Sequence, residues 1–133
     1  MKRREALQQY VNTCATEMNL SFWRIKVREG KTSGNIFADV ETAQGQNAAI
    51  HFYKGFWKLP PDEQRETVCH ELCHLILDPV STLTDELRAG MKRSAYALFL
   101  RCFEAVGEGP VEAFARLIAP TLPLPPDFRA ISR

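Results

Sequence analysis

His70-Glu71-Leu72-Cys73-His74 sets two imidazoles four residues apart, with a glutamate directly after the first. On a helix, residues four apart stand nearly one above the other, so His70 and His74 can offer two nitrogens to one cation. Glu71 is turned by about 100° from His70 around the helix axis. It therefore stands beside such a cation rather than on it, where a general base must be to take a proton from water. A tetrahedral zinc held by two histidines still lacks one protein ligand, the last position being left for water. The pattern thus points to hydrolytic chemistry at one Zn2+ ion.

The third ligand has to come from elsewhere. Glu104, Glu108 and Glu112 follow at one-turn intervals, and a carboxylate from any of them would complete a His-His-Glu set. Spacing alone does not choose among them, and each also suits a solvated helix face. Tyr96 and Tyr53 are candidate hydrogen-bond donors to a reacting carbonyl, set against plain aromatic packing. His51 is a candidate accessory ligand or a simply packed strand histidine. Cys69 and Cys73 lie one turn apart beside the histidines. Packing of small thiols suits them better than coordination.

The elements that must position these groups show in the periodicity. Residues 2 to 18 read as a helix through Leu7, Tyr10, Val11, Cys14 and Met18, with Asn19 as its stop. Three short strands follow, over Phe22 to Arg28, Gly34 to Thr42 and Ala48 to Tyr53, divided by Glu29-Gly30 and Gln44-Gly45-Gln46. Such short connections favour an antiparallel meander. Pro60-Pro61-Asp62 opens the motif helix and Asp78-Pro79 should end it. Thr84 then caps a second helical region with an apolar stripe of Leu87, Met91, Ala95, Leu98 and Cys102. Gly107 to Pro110 should interrupt that region before Val111 to Ala119 resumes it. The proline-rich residues 120–133 should form an extended tail.

At 133 residues, 45% hydrophobic and 25% charged, the chain fits a single α+β domain with a core of its own. Formal net charge is +1 with no basic stripe, so no nucleic-acid partner is expected. The apolar runs are too short for a membrane span. Lys2, Arg3 and Arg4 lead into no apolar stretch, which resembles neither a signal peptide nor an anchor. A monomer with reduced thiols in a cytoplasm, the host cell's if phage-encoded, is the expectation.

The motif, with Leu75 after it and Val111, Glu112, Phe114, Ala115 and Pro120 downstream, resembles the gluzincin clan of metallopeptidases. It is similar in particular to phage-type minigluzincins and ImmA/IrrE-type peptidases. The order of helix, three strands, motif helix and glutamate helix resembles them over most of the chain, implying a zincin-like fold with a small, mainly antiparallel sheet. The resemblance implies Glu108 as the third ligand and Glu112 as a support that orients a ligand histidine. It further implies zinc-dependent cleavage of a peptide or protein with Glu71 as base, the substrate lying along an edge strand. Ile50 to Tyr53, just before the motif helix, is the candidate for that edge strand. Two features depart from the family: Gly109-Pro110 directly after Glu108, and Cys73 where alanine or glycine is usual.

The alternative is an inactive zinc-binding or protein-interaction domain on the same scaffold, against which the retained Glu71 argues. A peptidase acting with nucleic acid, as in SprT-like proteases, is disfavoured by the charge. One further expectation attaches to the tail. Asp127 could lie across the cleft and hold the enzyme latent.

Overall fold

The structure, a computed structural model, describes residues 1–31, 34–79 and 87–133, without the side chain of Ala105. Three helices, α1 (Arg3–Glu17), α2 (Pro61–Ile76) and α3 (Arg93–Ile118), accompany three strands, β1 (Arg24–Glu29), β2 (Ala38–Ala43) and β3 (Asn47–Phe52). The architecture is α+β. α1 ends as its sequence suggests, with Asn19 in the left-handed region at φ 59°. α2 begins with Pro60 outside and Pro61 in its first turn, with Asp62 and Glu63 at the positive end of its dipole. It closes at Ile76, just before Asp78-Pro79.

The sheet is mixed, in the order β1-β3-β2, and this corrects the expected meander. β2 pairs antiparallel with β3, but β1 pairs with β3 in parallel, Val27 beside Ile50. β2 thus lies beyond the central position, and the turn at Gly45 and Gln46 returns the chain to it. The reason lies in the side chains. Ala48, Ile50 and Phe52 make β3 the most apolar strand, so the centre suits it best. The charged strands, with Arg24, Lys26 and Arg28 or Asp39 and Glu41, take the edges.

The two edges differ. Along β1, the Gln8 side chain acts as a surrogate strand: Nε2 donates to the Ile25 carbonyl at 2.9 Å, and Oε1 accepts from the Val27 N–H at 2.8 Å. Along β2, the Tyr53 N–H donates to the Phe37 carbonyl, which fixes the alternation. Ala38, Val40 and Thr42 therefore turn their backbone groups away from β3, and among the described residues no hydrogen bond reaches them.

The core gathers Leu7, Val11 and Cys14 of α1, Ile50 and Phe52 of β3, and Val68, Cys69, Leu72, Cys73 and Leu75 of α2. Val111, Ala115 and Ala119 close it from the far half of α3 and the turn after it. Two expectations about the later chain fail. α3 runs unbroken through Gly107, Gly109 and Pro110, although proline removes one helical hydrogen bond. The burial of Val111 and Ala115 against α2, on either side of exposed residues, holds the helix together across that defect. The stripe from Leu87 to Cys102 is not a core face: Leu87, Ala95, Leu98 and Cys102 are exposed, Met91 is half-buried, and the helix starts only at Arg93. Thr84 lies outside the described residues.

The tail does not cross any cleft. Tyr10 Oη donates to the Pro123 carbonyl at 2.7 Å, and Arg65 Nη1 to the Leu122 carbonyl at 3.3 Å. Phe128 sits edge-on to Trp57, and Asp127 accepts from the Arg129 N–H at 3.0 Å. Burial of Leu122 and Phe128 draws this segment onto α1 and the Lys54–Lys58 turn, which leaves no route for Asp127 to latch the motif helix. Among the described residues no helix is long and apolar enough to cross a membrane.

Candidate metal centre

α2 divides the motif between two environments. Val68, Cys69, Leu72, Cys73 and Leu75 face the core, while His70 and His74 are half-exposed on the opposite side. Cys69 and Cys73 are fully enclosed, and the Cys69 thiol approaches the Ala115 carbonyl at 3.8 Å. Both thiols pack the helix, and neither joins the histidines.

α3 crosses this face of α2 and contributes its carboxylates. Glu108 spans the two imidazoles, Oε2 at 3.4 Å from His70 Nε2 and Oε1 at 3.2 Å from His74 Nε2. Ligands bonded at 2.0–2.1 Å around a tetrahedral zinc stand roughly 3.3 Å apart, so this separation fits one ion. Ligand atoms of His70, His74 and Glu108 all fall within 4.8 Å of one another, the one such group among the described residues. One turn along α3, Glu112 Oε2 lies 3.2 Å from His70 Nδ1. That contact favours the tautomer protonated on Nδ1, leaving Nε2 with its lone pair towards Glu108 and the site. Only an unbroken α3 can set two carboxylates one turn apart on two nitrogens of the same ring. Burial, against the opposing pull of the Glu108 charge and with a smaller push from His70, holds His74 below its ordinary pKa and favours the neutral ring that a metal requires.

Glu71 is buried among these groups, at 6% exposure. Burial first, then the charges of Asp39 and Glu108, push its carboxyl up to about 8. Two shallow cavities of about 410 and 480 Å³ flank it and share Ile36, Ala38, His70 and Glu71. Together they form a groove between the β2 edge and α2, with His70 and Glu71 at its middle. Asn35, Leu59, Glu63 and Glu66 line one end, and Val40, Thr42, His74 and Asp78 the other.

The remaining candidates stand elsewhere. Glu104 is exposed and outside the cluster. His51 belongs to the opposite sheet face, its Nδ1 and Nε2 each 3.5 Å from Asp39 and Glu41 carboxylate oxygens, because Ile50 and Phe52 beside it point to the core. Tyr53 donates to Asp39 Oδ2 at 2.7 Å and packs so closely on Gly30 that a Cβ there would collide with its ring. Tyr96 is buried near the start of α3, under the Arg88 guanidinium. Neither tyrosine lines the groove. The edge strand of the groove is β2 rather than the expected Ile50 to Tyr53, since β3 is central. Asp39, whose charge acts on Glu71, was not among the sequence candidates. A strand carboxylate carries no spacing signal that ties it to a helix that begins only after the sheet is complete.

Compared with known proteins, the chain matches no family model, and neither the curated proteins nor the solved structures contain a match.

Proposed function

We propose that this chain is a zinc-dependent peptidase with a zincin-like, minigluzincin-type fold, acting on a peptide or protein laid along β2. The observation that carries the reading is the convergence of His70, His74 and Glu108 beside a buried Glu71, in a groove whose other wall is a strand edge. Those three side chains would hold the metal, and Glu112 would orient His70. The ion, when bound, supplies a Lewis acid for a carbonyl oxygen and acidifies a water.

The chain's own groups do the rest. Val40 offers a backbone N–H and C=O along the groove, so an extended peptide can add as a further strand and be held by main-chain bonds. Glu71, enclosed and raised in pKa, takes a proton from the water and returns it to the leaving amine. Burial of Glu71 also keeps bulk water from competing for that proton.

Glu71→Gln keeps the shape of the side chain and removes the base. Zinc content should stay at the wild-type level while hydrolysis of a mixed peptide pool falls by about 10²–10⁴-fold. A wild type that binds zinc but cleaves nothing would favour the inactive binding domain, and one that binds no zinc would overturn the reading.

A further inference from the structure

A net charge of +1 argues against a polyanionic partner only if the charges are mixed over the surface, and here they are segregated. A cavity of about 900 Å³ opens between the start of α1, the end of β1, the Lys54–Lys58 turn and the C-terminal segment. Arg3, Lys31, Lys54, Lys58, Arg129 and Arg133 line it, and Glu29 is the only acid among the described lining residues. Glu29 is already engaged, with Oε1 3.0 Å from Arg3 Nε. The six cations come from distant parts of the sequence, so they form no basic run. The fold alone assembles them.

Two of them, Arg3 and Arg129, are held in place before any ligand arrives. The Arg3 guanidinium lies 4.2 Å from the centroid of Trp57, and Phe128 braces that ring edge-on at 5.5 Å. Arg129 Nη2 donates to the Lys58 carbonyl at 3.2 Å, and the Arg3 N–H to the Ser132 carbonyl at 2.9 Å. Cations fixed in this way lose less entropy when they meet an anion.

We propose that this cavity binds single-stranded nucleic acid through its backbone phosphates, with the Arg3–Trp57 stack receiving a base. The stack favours this partner over an acidic peptide, since the Arg3–Trp57 pair adds a platform on which a base can layer to the charge that any polyanion would find. The cavity shares no lining residue with the groove at His70 and Glu71, and the proposal stands whether or not the chain is a peptidase.

Fluorescence anisotropy of a labelled oligothymidine, with the full chain, tests it. Affinity should fall as salt rises, by a slope of about 0.7 in log–log terms for each phosphate engaged. Lys58→Gln with Arg129→Gln should weaken binding about tenfold and flatten the slope by about 1.4. Arg24→Gln with Lys26→Gln, on the outer sheet face, should leave binding unchanged. If the first pair loses its native melting, Lys54→Gln alone, at an exposed site, should still weaken binding. Three results would overturn the proposal: no binding by natively folded wild type, equal losses in both paired variants, or equal competition by poly-glutamate.

Discussion

At the β1 edge the Gln8 amide occupies both the Ile25 carbonyl and the Val27 N–H, whereas at the β2 edge Ala38, Val40 and Thr42 turn the same kinds of group towards a groove. Both strands are short and charged, and both flank the apolar β3. The difference lies in what stands next to each. α1 lays a side chain with one donor and one acceptor against β1, at the spacing of a strand partner. α2 lays His70, Glu71 and His74 beside β2 and leaves its backbone groups to something else. An exposed strand edge invites unwanted pairing, so an edge left open beside ionisable side chains suggests a place kept for a substrate.

If that contrast is right, substitutions at the β2 side should reduce metal binding or turnover with little effect on folding, and those at the β1 side the reverse. Glu112→Gln should weaken zinc affinity by about 10–100-fold while the melting temperature of the metal-free protein barely moves. Competition with a chelating dye measures it. Val40→Pro removes one outward N–H without disturbing the pairing to β3, and should raise KM by about tenfold at nearly constant kcat. Equal losses in both constants would point to a damaged centre instead. On the closed edge, Gln8→Leu strands one donor and one acceptor and should cost about 1 kcal/mol in urea unfolding, with kcat/KM unchanged. Loss of activity in that variant, with stability intact, would break the contrast.

A further expected effect is electrostatic. Glu71 in the metal-free fold ionises near 8, against 4.5 for its ordinary value. The neutral acid is thus favoured in the fold, and its contribution is complete below 4.5 and lost as pH rises to 8. Chelator-treated wild type should therefore melt a few degrees lower at the upper end of that window than at the lower end. Glu71→Gln should show a smaller change, and identical slopes for the two proteins would contradict the assignment.

The motif helix and its opening prolines were legible in the sequence because spacing along one helix is fixed by local geometry. His70 and His74 needed no other part of the chain to be placed on one face. Glu108 was reachable only through a family resemblance, since its approach depends on α3 surviving Pro110. That in turn depends on Val111 and Ala115 being buried by α2. The strand order failed for a similar reason. Short loops describe neighbours in sequence, but the apolar weight of Ile50 and Phe52 decides which strand lies in the middle. The basic cavity was hidden because net charge and runs of residues do not report where separate Lys and Arg side chains meet. Gln8, one polar residue on the first helix, gave no sign that it would finish a sheet.

The central claim is that one metal ion is held by two histidines of α2 and a single glutamate of α3. Metal analysis of the purified chain after zinc loading, in wild type, Glu108→Ala and Glu104→Ala, tests it most directly. One zinc per chain is expected in wild type and Glu104→Ala, and loss of tight binding in Glu108→Ala. Full zinc in Glu108→Ala, or none in the wild type, would contradict it.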